Sequence, residues 1–188
     1  MDLYHIALYL HIVAIVVASG ATTVTKLAAG RRARARTVGD ALEWHNVLMS
    51  WSKAFPIVLA VFVLTGAFML SRGQPAVWGS GFVVAGLAGV VLLFASGTYL
   101  GLKGKVLGGF LASLAAKGSE QPAPRLVPPP MVATLPVINT GIALAVAFDM
   151  VTKPASVPVA LGIVALGIVI SAALGMRRPA PVTKRATA

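Results

Sequence analysis

Residues 157–176 read VPVALGIVALGIVISAALGM, a stretch that contains no charged side chain. A helix rises about 1.5 Å per residue, so about 20 apolar residues cross a hydrocarbon core of about 30 Å. The run is continuous rather than alternating, which argues against a strand of a transmembrane barrel. The stretch therefore predicts a membrane-spanning helix.

Four more segments are also long and largely apolar, and the predicted helices lie at 3–27, 40–71, 77–102, 131–151 and 157–176. The whole chain is 57% hydrophobic and only 11% charged, whereas about a quarter of the residues in soluble domains are charged. These features predict an all-α, polytopic transmembrane bundle of about five helices. We expect one domain over residues 1–176, placed in the lipid bilayer as a multi-pass protein.

The connectors alternate in charge along the chain. The first, the third and the tail at 177–188 are rich in lysine and arginine, whereas the second and fourth hold only Arg72 and Lys153. Cation-rich connectors face the cytoplasm, so we expect the N-terminus outside and the C-terminus inside, in a bacterial inner membrane. The cations expected at anionic lipid headgroups are Arg31, Arg32, Arg34, Arg36, Arg177 and Arg178.

Net charge, cysteine content and sequence motifs together exclude several functional classes. The net charge of +11 follows from the basic connectors, so we expect no nucleic acid as a partner. The absence of cysteine excludes disulfides and cysteine-ligated metal centres. Motifs of soluble enzymes, such as phosphate-binding glycine loops and HExxH, are also absent. The sequence leaves open whether a reaction is catalysed and favours a non-enzymatic role.

Local patterns refine the expected helices and linkers. Five prolines in 118–130 predict an extended cytoplasmic linker, and residues 105–117 either extend the third helix or lie along the interface. Asp40 is the expected N-cap of the second helix, which Pro56 is expected to kink. Small residues at four-residue spacing indicate packing within the chain or in an oligomer or larger complex. They are Gly97, Gly101, Gly167, Ser171 and Gly175.

His11 is the main candidate ligand, because polar side chains are expensive in a membrane. It lies about 12 Å along the first helix from the outer boundary. An imidazole there could bind haem iron or copper, relay protons, or form a hydrogen bond to a neighbouring helix. In the second helix, the residues expected at the same membrane depth as His11 are Phe62 and Val63. His45 is expected at or beyond the cytoplasmic surface. The two histidines are therefore not expected to share a metal or haem.

Other polar residues form a second group of candidates. His5 and Asp149 lie at similar depth near the outer face. They are interpreted either as an ion pair or a proton-handling pair, or as two groups at the wet interface. Asn139 and Thr140 lie near the middle of the membrane. They are interpreted either as interhelical hydrogen-bonding residues or as part of a polar substrate path.

Three short motifs suggest a family. The chain has Leu10-His11-Ile12-Val13-Ala14 followed by Ser19-Gly20, then Thr65-Gly66, and later Val151-Thr152-Lys153-Pro154. In this order they resemble the CopD/HemJ-like group of bacterial integral membrane proteins, which includes copper-resistance D-like proteins and HemJ-type protoporphyrinogen oxidase. The usual tryptophan before the first glycine and a Trp-Leu-His-x-Lys stretch in the third helix are absent. The likeness is therefore closest to uncharacterised members, and of the group's functional positions only His11 carries over.

Three functional hypotheses remain after these observations. The leading one is a non-enzymatic, permease-like protein for a small solute or metal ion, or an accessory subunit. The second is a haem-binding membrane redox protein that uses His11, as the resemblance to HemJ-type proteins implies, with haem b as cofactor. The third is a structural subunit of a larger membrane complex.

Overall fold

The backbone is helical almost throughout the residues that the computed structural model describes, which are 2–72 and 75–176. The helices are α1 Leu3–Ala33, α2 Val38–Ser52, α3 Ala54–Ser71, α4 Gly81–Ala115, α5 Pro130–Thr152 and α6 Val157–Met176, with a short 3-10 turn at Pro75–Gly79. Only Lys53 separates α2 from α3, and the two form one crossing. The prediction of an all-α bundle with five spans is confirmed. Arg177, Arg178 and the rest of the predicted basic tail lie outside the described residues.

Lipid is the solvent of this bundle, and the chain is an integral, multi-pass membrane protein. Five helical crossings are long and apolar enough to span a membrane. Large apolar side chains point outward near the middle of these helices, as Leu64 and Leu144 do with 70% and 67% of their surface exposed. A helix satisfies its own backbone hydrogen bonds, so such a surface is stable in hydrocarbon.

The interior is lined mainly by small residues. α1 buries four alanines at seven-residue spacing and packs on α2 and α3; they are Ala7, Ala14, Ala21 and Ala28. A second group, α4 to α6, packs around Ala85, Ala145, Ala160 and Val164. Contacts of α2 with α4 join the two groups. Small side chains let helix backbones approach closely where no hydrophobic effect drives them together.

α5 and α6 cross at glycines, as the small-residue spacing predicts for Gly167, Ser171 and Gly175. A Cβ on Gly141 would collide with the hydroxyl of Ser171 and would lie 2.6 Å from the carbonyl oxygen of Gly167. A Cβ on Gly175 would make a tight contact, 3.3 Å, with the side chain of Thr134. By contrast, Gly97 and Gly101 face open space within the described part of the chain.

Several helix ends differ from the expected boundaries. α1 continues to Ala33, and α4 continues to Ala115, so most of residues 105–117 extends the helix rather than lying along an interface. The N-cap of α2 is Thr37, whose hydroxyl accepts from the backbone N–H of Asp40. Asp40 therefore lies in the first turn, where its carboxylate interacts favourably with the helix dipole.

The second crossing is interrupted one turn before Pro56, not at the proline itself. α2 ends at Ser52 and α3 begins at Ala54, with Lys53 in a turn conformation. Proline has no backbone N–H, so the carbonyl group four residues earlier loses its usual donor. That carbonyl belongs to Ser52, which accounts for the position of the break.

Connectors of similar charge lie at the same end of the bundle. The first connector and the start of α2 form backbone hydrogen bonds with the proline-rich linker. Val38 N–H donates to Gln121 O at 2.9 Å, and Ala123 N–H donates to Arg36 O at 2.8 Å. At the other end, Gly81 N–H donates to Ala155 O at 2.9 Å. The cation-rich connectors thus share one end of the bundle, and the cation-poor connectors share the other. We call these the cation-rich and cation-poor ends.

Candidate functional site

Lys26 places an ammonium group near the middle of the bundle. Because α1 continues to Ala33, Lys26 lies inside the first crossing rather than in the last turn of the predicted helix 3–27. Its Nζ lies 3.1 Å from Oγ1 of Thr140 on α5. Thr140 is about 15 Å from Pro130 and about 18 Å from Thr152 along the helix axis. The contact is therefore close to the midpoint of α5.

The hydrogen-bond directions at this contact are determined by the hydroxyl group. Thr140 Oγ1 donates its hydrogen to the carbonyl oxygen of Pro136 at 3.0 Å. It therefore accepts a hydrogen bond from Lys26, whose ammonium group retains two further N–H donors. The positive charge is held at this level by a neutral partner.

Asn139 adds a second polar contact at the same level. Ser96 Oγ on α4 lies 2.8 Å from Asn139 Oδ1 and 3.1 Å from Leu93 O, and it donates its single hydrogen to the nearer oxygen, that of Asn139. The amide nitrogen of Asn139 then offers two N–H donors. The bond between Ser96 and Asn139 joins α4 to α5, and the contact of Thr140 with Lys26 joins α1 to α5. Below, the polar layer means Lys26, Ser96, Asn139 and Thr140.

His11 faces the second crossing at the predicted level. Its Nδ1 lies 2.8 Å from Thr65 Oγ1, and its ring meets Phe62 edge-on with centroids 4.8 Å apart. Thr65 donates its own hydroxyl hydrogen to Val61 O at 2.6 Å. The hydroxyl must therefore accept from His11, which places the imidazole hydrogen on Nδ1 and leaves the lone pair on Nε2.

His45 is the center of a contact that the sequence did not predict. Only 1% of the residue is exposed, and its Nδ1 lies 2.9 Å from Nη1 of Arg32. A guanidinium group can only donate, so Nδ1 accepts and the ring hydrogen resides on Nε2. Nε2 faces Gly108 on α4, where a Cβ would lie only 2.8 Å away. The sequence signal for this packing is the spacing of Gly104 and Gly108.

The two histidines belong to separate sites, as predicted. Arg32 forms the hydrogen bond to His45. It lies about 31 Å from His11 along α1. Among residues 2–72 and 75–176, no group of three or more histidine, aspartate and glutamate side chains could hold a metal ion. Any metal or haem bound at His11 would need its other ligands from elsewhere.

The structure does not bring His5 and Asp149 together. His5 is exposed on α1, where its ring lies against Tyr4 with centroids 6.0 Å apart. Asp149 is fully buried on α5, which packs on α4 and α6. Neither the expected ion pair nor the wet-interface alternative describes Asp149. Its carboxylate oxygens have no hydrogen-bond partner among the described residues.

Comparison of the chain with protein-family models, with curated proteins and with solved structures gave no match. A functional assignment therefore depends on the geometry of the polar layer and of His11.

Proposed function

We propose that the chain is a permease-like membrane protein for a small anion, with the polar layer as its binding site. The observation that carries the proposal is the contact between Lys26 Nζ and Thr140 near the midpoint of α5. On insertion scales a lysine costs about 2.5–3.5 kcal/mol at the center of a membrane helix, and the ammonium group of Lys26 reaches the midpoint of α5 from a position seven residues before the end of α1. Such residues mark solute pathways more often than structural contacts.

The chemistry of the polar layer favours an anion over a metal ion. Lys26 and Asn139 together offer donors that the surrounding helices do not use, and Lys26 adds a positive charge. Metal cations need lone pairs from carboxylates or imidazoles. An anion that binds to the ammonium and amide groups would offset the charge that α1 carries into the membrane.

Anion flux into liposomes tests this proposal. Purified protein would be reconstituted, and entry of chloride, nitrate or formate would be measured with a trapped fluorescent indicator and valinomycin to balance charge. We expect at least one of these anions to enter faster than in protein-free liposomes. Lys26→Met should abolish the flux and Lys26→Arg should retain part of it. Lys53→Met, a lysine in the break between α2 and α3, is the control.

Two results would contradict the proposal. One is flux no greater than in protein-free liposomes for every anion tested. The other is equal flux in the wild type and in a folded Lys26→Met variant, because the contact with Thr140 would then only join two helices. Such an outcome would favour the structural-subunit hypothesis, which predicts that larger complexes co-purify with the chain.

His11 supports a second candidate function, the binding of haem b. The hydrogen bond to Thr65 fixes the ring and leaves Nε2 as the free ligand atom. Iron-bound histidines are usually oriented by such a bond to their other nitrogen. Gly66 leaves room beside the ring, since a Cβ there would lie 3.9 Å from Cε1. His11 thus fits a single axial ligand, and bound haem would supply redox chemistry.

An absorption spectrum after expression with added haemin tests this second candidate. Haem bound through His11 predicts a Soret band that His11→Ala removes and that the control His5→Ala leaves unchanged. Colourless protein, or a Soret band that persists in His11→Ala, would exclude His11 as the ligand. The same preparation should be analysed for metals.

The cellular location of the chain and its family membership are further parts of the proposal. The positive-inside rule places the cation-rich end in the cytoplasm of a bacterial inner membrane, with the N-terminus outside. The exposed residues Arg34 and Arg36 at that end would reach anionic headgroups. Contact between His11 and the Thr65-Gly66 pair is consistent with membership in the CopD/HemJ-like group, in which both motifs recur. Tags at the two chain ends should report opposite compartments.

A further inference from the structure

Asp149 is a buried acid whose charge no neighbouring group balances. It has no exposed surface, and neither carboxylate oxygen has a hydrogen-bond partner within residues 2–72 and 75–176. An ionised carboxylate without partners is very costly in an apolar environment, and such a group usually becomes neutral instead. The position is also independent of the polar layer, because Thr140 lies about 13 Å away along α5.

The surroundings of Asp149 explain why no counter-ion is present. α5 packs on α4 and α6 and buries Gly141, Ala145 and Asp149 on one face. α6 contains no titratable residue, and α5 contains no other. On α4 the level of Asp149 is close to Gly86, which meets the side chain of Met150. The first titratable residue beyond it is Tyr99, about 20 Å farther along the helix.

No charged group on a neighbouring segment forms a hydrogen bond with Asp149 among the described residues. Lys153 follows α5 and is exposed. Lys26 on α1 reaches α5 only at the level of Thr140. Neither lysine is hydrogen-bonded to the carboxylate of Asp149, and the end of α5 that lies closest to Asp149 is the turn between α5 and α6.

That turn is closed by the first residue of α4. Gly81 N–H donates to Ala155 O at 2.9 Å, and Phe82 N–H donates to Pro154 O at 3.1 Å. The backbones are so close that a Cβ on Gly81 would collide with the carbonyl group of Ser156. We call this contact the Gly81 clamp. It lies about one helical turn above Asp149, since Asp149 O accepts from Lys153 N–H.

We propose that Asp149 is a proton-binding site inside the membrane, occupied at neutral pH, and that its proton exchanges with water at the cation-poor end when the Gly81 clamp opens. The ligand is the proton itself, which converts the carboxylate to a neutral acid. This inference does not depend on anion transport, so each proposal can fail without the other.

Infrared spectroscopy of the full chain in liposomes tests the protonation state. The four other acidic residues, Asp2, Asp40, Glu43 and Glu120, are all exposed, so Asp149 is the one buried acid among the five. The wild type should therefore show one band for the C=O stretch of a protonated carboxyl group, and Asp149→Asn should lose it. The band of the wild type alone remains informative if Asp149→Asn does not fold.

Transfer to D₂O tests the role of the clamp. The C=O band shifts when the acid exchanges its proton for a deuteron, so the rate of that shift measures exposure to water. We expect slow exchange in the wild type and faster exchange, or loss of the band, in Gly81→Ala. Gly79→Ala is the matched control, because no atom lies within 4 Å of a Cβ at that glycine.

The two experiments test the proton site and its exchange route separately. A protonated band at neutral pH that disappears in Asp149→Asn supports the site, and faster exchange in Gly81→Ala than in Gly79→Ala supports the exchange route. A wild-type spectrum with only ionised carboxylates would overturn the proposal. Exchange as fast in the wild type as in Gly81→Ala would overturn the role of the clamp.

Discussion

Gly108 on α4 lies directly against the imidazole of His45 on α2, so that a Cβ on the glycine would stand 2.8 Å from Nε2. The other ring nitrogen is 2.9 Å from Nη1 of Arg32 on α1. One side chain therefore joins three helices near the cation-rich end. The first two predictions test this contact.

Replacement of Gly108 by alanine should destabilise the protein. The methyl group would displace a buried ring, and such overpacking costs about 1–3 kcal/mol. Gly109→Ala is the matched control, because nothing lies within 4 Å of a Cβ there and alanine is a better helix former than glycine. Thermal unfolding in detergent measures both variants. Equal melting temperatures would contradict the contact.

Arg32→Met should also destabilise the chain, since it leaves Nδ1 of His45 buried without a donor. An unsatisfied buried polar group costs about 1–3 kcal/mol. Arg34→Met removes an exposed guanidinium from the end of the same helix and should have little effect. If the two variants unfold at the same temperature, Arg32 contributes no more than a surface charge.

The two histidine contacts predict opposite tautomers. His11 carries its hydrogen on Nδ1 because Thr65 accepts there, whereas His45 carries it on Nε2 because Arg32 donates to Nδ1. Nitrogen NMR of histidine-labelled protein distinguishes the two forms, with His11→Ala and His45→Ala for assignment. The same tautomer at both residues would show that one of these hydrogen-bond networks is wrong.

The crossing of α5 and α6 should tolerate no side chain at Gly141. A methyl group there would meet Ser171 and the backbone of Gly167, and the helices would have to separate. We expect Gly141→Ala to lower stability by about 1–3 kcal/mol. Gly162→Ala, at a glycine with nothing within 4 Å, should be neutral or stabilising. Unfolding in detergent compares them, and similar curves would argue against close packing at Gly141.

The number of crossings could be predicted from the sequence because hydrocarbon selects long apolar runs, such as residues 157–176. The level of His11 could also be predicted, since a rise of about 1.5 Å per residue converts sequence distance to depth. Phe62 and Thr65 do lie against its ring.

The partners around each helix could not be predicted in the same way. Depth does not specify which face of α1 meets which neighbour, so Arg32 was assigned to the headgroups and its contact with His45 was missed. The contact of Lys26 with Thr140 was missed because the first helix was expected to end at residue 27, which placed Lys26 in its last turn, whereas α1 continues to Ala33. Burial of Asp149 was missed for a similar reason, since its depth alone suggested a wet interface.

Thiol labelling in the middle of the membrane tests the central claim most directly, and the absence of native cysteine removes any background. Thr140→Cys replaces a residue of the polar layer, and Leu166→Cys replaces a side chain that is 59% exposed near the midpoint of α6. A hydrated anion site predicts that a charged, water-soluble thiol reagent labels the cysteine at 140 and not the one at 166. Equal labelling of the two, or none at 140, would contradict a solute site at Lys26 and Thr140.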